Sequence, residues 1–175
     1  ERLLSLLALR DLHAEHGHLQ EIILQNFVPK AGTKMAEVPA PPFEELLWTI
    51  AMARHVFGAA MSLQAPPNLN TGRLEAIIAA GCNDWGGVSP VTVDHVNPES
   101  PWPQLDSLAA QTRAAGKTLV PRLTVYPHYI EKRAEWLHPG IVASVLKHAD
   151  ASGFARTDVW SPVAGLEPPP VADSP

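Results

Sequence analysis

Glycines at 17, 58, 81 and 116 each close a stretch of helical apolar periodicity, and each is followed within a few residues by a short apolar run of strand length. A chain punctuated this way is restricted to alternating helices and strands, because glycine tolerates the left-handed turn that ends a helix. Residues 2 to 16 place Leu3, Leu4, Leu7 and Leu12 at helical spacing before Gly17. Glu21 to Phe27 reads as a buried strand around Ile22-Ile23-Leu24. Phe43 to Phe57 reads as a second amphipathic helix, reached through Pro41-Pro42 and stopped by Gly58. Met61 to Ala65 is a second strand, and Asn70 or Thr71 is placed to cap a third helix that turns Leu74, Ile77 and Ile78 inward before Gly81. A short strand at Asn83, a proline-rich loop, a helix from Gln104 to Ala115 and a fourth strand from Thr118 to Val125 complete the rhythm. Pro121 sits awkwardly in that last strand, since proline removes a ladder donor and suits edges or bulges.

Strand and helix in alternation predict an α/β fold with a parallel sheet and helical crossovers. Four such units make about half of a TIM-type (β/α) barrel, which typically needs roughly 250 residues. Half a barrel leaves strand edges unpaired and an inner face open, so the missing half is expected from upstream sequence or from a partner. Residues 1 to 160 read as the barrel portion. Residues 161 to 175, ending in Pro168-Pro169-Pro170, lose all periodicity and read as a proline-rich tail or interdomain linker.

Composition narrows the function by exclusion. A net charge of -5 with dispersed basic residues argues against a nucleic-acid surface. No apolar run approaches the roughly 20 residues of a transmembrane helix, and Glu1-Arg2-Leu3-Leu4 shows no signal peptide, so a cytoplasmic chain cut from a longer one is expected. The single cysteine, Cys82, rules out an internal disulfide and a multi-cysteine metal site, and reads as a small buried apolar residue. His13 and His16 fall at a helix C-terminus with His18 just beyond it, and no metal is assigned to them.

Three strand ends carry polar residues, at the position where barrels bind ligands. These are Gln25-Asn26-Phe27, Gln64-Ala65-Pro66-Pro67-Asn68 and Asn83-Asp84-Trp85-Gly86-Gly87-Val88-Ser89-Pro90. Amides donate and accept without changing charge, which suits neutral polar ligands. Asp84 can accept from an amino or hydroxyl group or take up a proton. Gly86 and Gly87 permit close backbone approach, Ser89 adds a hydroxyl, and Arg122 and Tyr126 extend from the fourth strand. Each also has a purely architectural counterpart: a capped turn for Asn83 and Asp84, loop satisfaction for Gln25, Asn26, Gln64 and Asn68, core packing for Trp85, and a surface ion pair for Arg122. His95 and His128 are candidates of the same double kind.

The blocks Leu19-Gln20-Glu21-Ile22-Ile23-Leu24-Gln25-Asn26-Phe27, Gln64-Ala65-Pro66-Pro67-Asn68-Leu69 and Asn83 to Thr92, continuing through Asp94-His95-Val96-Asn97-Pro98-Glu99, resemble the radical S-adenosylmethionine FO synthases. More narrowly they resemble the part that closes the deazaflavin ring, which is a separate subunit in some members and the N-terminal half of a fused protein in others. The resemblance covers residues 1 to 160 and corresponds to the C-terminal portion of that barrel. It implies a 4Fe-4S cluster on a Cys-x3-Cys-x2-Cys loop, S-adenosylmethionine as radical source, and a hydroxybenzyl-ribityl-diaminouracil adduct derived from tyrosine as substrate. The product would be the deazaflavin FO, formed with loss of ammonia. Read beside that resemblance, Asp84 is the catalytic candidate, with Gln25, Asn26, Gln64, Asn68, Asn83, Trp85, Gly86, Gly87, Ser89, His95, Arg122 and Tyr126 as candidates for binding substrate or S-adenosylmethionine. Its partners would be the N-terminal half of the barrel and a second radical domain or subunit. The cluster motif itself is not in these 175 residues, so no metal ligand is assigned and the chain alone is expected to be inactive. Two other readings stand beside it: a metal-dependent hydrolase using Asp84, His95 and His128, and a non-catalytic substrate-binding fragment.

Overall fold

The computed structural model describes residues 1–157; the expected tail at 161 to 175 lies outside them. The described residues divide into two compact units, the first Glu1–Lys117 and the second starting at Thr118.

The first unit opens with α1, Arg2–His16, which ends as expected at Gly17 in the left-handed conformation. Its face differs from the expected one: Leu6 is the buried leucine, whereas Leu3, Leu4 and Leu12 are exposed. A single buried position follows because α1 packs chiefly against α2, Phe43–Phe57, and an Arg2–Glu45 ion pair at 2.6 Å joins the two. Strand β1, Glu21–Ile23, pairs in parallel with β2, Ser62–Gln64, in the register Ile22 to Leu63. Both strands are shorter than their apolar runs suggest, since only three residues of each find a partner. A single bridge from Gln64 to Asp84 takes the place of the expected third strand.

Helices α3, Leu74–Ala80, and α4, Leu105–Ala114, complete the unit. Ile50 and Ala53 of α2, Leu63 and Ala65 around β2, and Ile77 of α3 are fully buried and form the core with Leu108 of α4. Each large aliphatic side chain so buried contributes about 1.5–3 kcal/mol relative to exposure. Arg54 fastens the opposite end of this layer, donating from Nε to the Gly81 carbonyl and from Nη1 to the Gly58 and Met61 carbonyls. Neither Asn70 nor Thr71 caps α3. Arg73 takes that position, and Asn70 is buried in a single 3-10 turn, Asn68–Asn70, where its amide is used elsewhere.

Alternation along the strands sorts the side chains. Ile22, Leu24, Leu63 and Ala65 lie on the packed face, while Ile23, Gln25 and Gln64 take the other. The parallel sheet therefore has one face in the core and one face open.

In the second unit the expected strand at 118 to 125 does not form. Pro121 cannot donate to a ladder, and its carbonyl instead accepts from the Ala155 amide. Three short helices follow that the apolar periodicity did not reveal: α5, Pro127–Glu131, α6, Arg133–Trp136, and α7, Pro139–His148. α5 and α7 begin with proline at the first turn, and the His138 ring accepts from the Gly140 amide to cap α7. Tyr129 stacks edge-on against Trp136 at 4.9 Å. Among the described residues no helix is long and apolar enough to cross a membrane.

Candidate functional site

The C-terminal ends of β1, β2 and the Asp84 bridge lie side by side, and this end collects most of the polar residues singled out in the sequence. Gln64 is half-buried and borders Gly86 so closely that a Cβ there would stand 2.1 Å from Gln64 Nε2. Gly86 has φ +72, a conformation that disfavours side chains. Its amide donates to Asp84 Oδ1 at 2.6 Å, so one carboxylate oxygen shapes the turn that seats Gln64. Gln25, on the open face one strand away, is exposed. Gln25, Gln64, Asp84 and Gly86 thus form a polar strip across three neighbouring chain segments.

Several other candidates make contacts within the scaffold. Asn83 Oδ1 accepts from the Leu63 amide at 2.8 Å and its Nδ2 donates to the Met61 carbonyl, so this side chain acts as an extra partner for β2. Trp85 is buried, and its indole donates to Thr112 Oγ1 at 3.1 Å, tying the bridge to α4. Gly87 is exposed with open space around it, and Ser89 is half-buried in a turn where its carbonyl accepts from Thr92. Arg122 and Tyr126 lie in the second unit, with the guanidinium 3.9 Å from the ring centre, and His128 packs there against Tyr129.

Asn68 is buried beneath the loop that follows the bridge. Its Nδ2 donates to Asp94 Oδ2 at 2.9 Å and to the Ser100 carbonyl at 3.1 Å, while its buried Oδ1 has no hydrogen-bond partner among the described residues. Both contacts of the nitrogen are pure acceptors, which fixes the orientation of the amide. An unsatisfied buried acceptor costs about 1–3 kcal/mol, so this oxygen is a place where a ligand donor would be stabilising. Asp94 is the hub of the loop. Its two oxygens also accept from the Val96 and Asn97 amides and from Asn97 Nδ2. His95 is exposed on the same loop, and a Lys30–Glu99 ion pair ties the loop to the β1 exit. Asp94, Asn97 and Asn70 were not among the sequence candidates; Asp94-x-x-Asn97-Pro98, a spacing suited to an Asx turn, was the available signal.

Partial burial opposes the Asp94 charge, but the hydrogen bonds from Asn97, Asn68 and Val96 outweigh it and hold the carboxyl below its ordinary range. A carboxylate whose folded pKa is depressed stabilises above its unfolded value, about 3.9, and loses that contribution as pH falls through the folded value. Wild-type protein is therefore expected to melt higher than Asp94→Asn at pH 7 and to lose the advantage below about pH 4. Thermal melts of both proteins from pH 7 to 3 check this.

A groove of about 480 Å³ opens beside the β1 exit, between Gln25, Asn26 and Phe27 on one side and Pro42, Phe43 and Thr49 on the other. It gives the strip an adjoining concave surface.

Cys82 is buried, donates to the Leu63 and Asp84 carbonyls, and has its thiol pushed up to about 11 by burial. A protonated, enclosed thiol does not fit a cluster ligand, and one cysteine does not replace three. Among the described residues no three His, Cys, Asp or Glu side chains converge on a metal position, so the hydrolase reading has no ligand set there.

The FO synthase of Mycobacterium tuberculosis strain H37Rv is 51% identical over 158 residues, covering 89% of this chain and 18% of that protein. The chain is similar to one stretch of the FO synthases. The FO synthase of Streptomyces coelicolor is 48% identical over 159 residues, covering 90% of this chain and 18% of its own length. A 7,8-didemethyl-8-hydroxy-5-deazariboflavin synthase from Methanopyrus kandleri is 44% identical over 156 residues, which are 89% of this chain and 46% of that protein. This chain thus spans about a fifth of the FO synthases and about half of the Methanopyrus protein. No family model matches, and no solved structure matches.

Proposed function

We propose that this chain supplies the substrate-facing wall of an FO synthase domain and works in the biosynthesis of the deazaflavin FO. The supporting observation is that a chain about half identical to FO synthases over nine-tenths of its length places Gln25, Gln64, Asp84 and Gly86 along one polar strip at its strand ends. On this reading the segment is the C-terminal half of a TIM-type barrel, and the open face of the sheet is its inner wall. The substrate is the hydroxybenzyl-ribityl-diaminouracil adduct. Gln25, Asn26 and Gln64 orient its neutral polar edges, and the Asp84 carboxylate takes up the proton released on ring closure.

The chemistry that starts the reaction comes from protein outside these residues, because Cys82 fits no cluster. The N-terminal half of the barrel and a second radical domain or subunit are the proposed partners, and the cytoplasm is the proposed compartment. These 175 residues alone bind substrate without turning it over. An anaerobic assay of the complete enzyme with S-adenosylmethionine, a reductant and the adduct tests the reading. FO is expected as a fluorescent product; deoxyadenosine without FO, or no turnover of either kind after cluster reconstitution, overturns it.

A further inference from the structure

Asn70 is 2% exposed and makes a reciprocal amide pair with Asn26 from the β1 exit. Nδ2 of Asn26 donates to Asn70 Oδ1 at 2.9 Å, and Asn70 Nδ2 returns the bond to Asn26 Oδ1 at 2.9 Å. The second N–H of Asn70 goes to the Pro66 carbonyl at 2.8 Å. A carbonyl only accepts, so Pro66 fixes which end of the Asn70 amide is nitrogen, and the pair then fixes Asn26 in turn. Both N–H groups of Asn70 are consumed and the residue is enclosed. Asn26 is half-buried, lines the groove, and keeps one N–H and one carbonyl lone pair outside the pair.

We propose that Asn70 is a positioning residue that locks the amide of Asn26 in one orientation, so that the groove presents a fixed donor and a fixed acceptor to a neutral polar ligand. The proposal rests on the reading of the strand ends as a substrate wall and adds a residue to it. Asn70 does not itself touch the ligand. Without it the Asn26 side chain loses both bonds of the pair and is free to rotate as well as to turn over, and binding then has to immobilise it.

The test is a double-mutant cycle in the complete enzyme, with KM and kcat for the adduct and a thermal melt for each protein. FO formation by the unsubstituted enzyme reads the functional assignment, and the cycle reads the positioning role separately. Asn70→Ala is expected to raise KM about tenfold with kcat within about twofold, and to add nothing further in an Asn26→Ala background. Asn70→Ser leaves a hydroxyl that can donate to the Pro66 carbonyl but cannot hold both ends of the Asn26 amide; it is expected to raise KM similarly and covers the case in which the alanine variant does not fold. A lowered melting temperature with unchanged KM, or KM effects of Asn26→Ala and Asn70→Ala that multiply, overturns the proposal.

Discussion

Changing Asp84 to Asn in a complete enzyme is expected to cut FO formation by about 100-fold or more, the range a positioned proton acceptor contributes, while leaving S-adenosylmethionine consumption close to normal. The substitution suits the question because the turn survives it. Asp84 Oδ1 accepts from the Gly86 amide at 2.6 Å, and an asparagine carbonyl can accept in the same place. The bridge between Gln64 and Asp84 is made by the main chain and is untouched. What is lost is the charge and the capacity to take up a proton. Paired measurement of FO and deoxyadenosine separates the outcomes: equal loss of both would make Asp84 part of the general architecture instead of the ring-closing step.

Gly86→Ala is expected to affect ligand binding far more than folding. A Cβ at this position would collide with the Gln64 amide, reaching 2.1 Å from Nε2 and 2.4 Å from Cδ. These atoms are the far end of a flexible side chain, so the amide swings away and the fold persists. The left-handed φ of +72 adds a cost on the order of 1 kcal/mol. A KM for the adduct raised about tenfold, with a melting temperature lowered by only a few degrees, is the expected pattern. Kinetics and melts on the same preparation measure both; a KM equal to wild type would remove Gln64 from the wall.

The helices of the first unit were legible because their apolar spacing and glycine stops agree. α2 occupies Phe43–Phe57 as read, and α3 buries Leu74, Ile77 and Ile78 as read. Strand length was not legible. The run from Glu21 to Phe27 is apolar throughout, yet a strand lasts only as long as a neighbour offers a ladder, and β2 pairs with three residues of it. The helices after Pro127 are too short for a periodic pattern, and their signals were the prolines at their first turns.

The turns at the strand ends were legible, and the partners of their side chains less so. Turn chemistry at Asp84-Trp85-Gly86 marked a tight turn, and the structure has one there, with the Gly86 amide on Asp84 Oδ1 and Gly86 at positive φ. Whether an amide faces a ligand or the backbone depends on partners that are distant in sequence. Asn83 answers to Leu63, twenty residues away, and Asn70 to Asn26, forty-four away. No local pattern distinguishes these two asparagines from Gln64.

The most direct measurement is an exchange of segments. Placing this chain in the matching stretch of the Mycobacterium tuberculosis FO synthase, in cells lacking their own FO synthase, joins it to whatever that protein supplies. Deazaflavin fluorescence is expected to return with the unaltered segment and to be lost with Asp84→Asn. Stable expression of the unaltered exchange protein with no FO, or FO at equal levels from both, would contradict it.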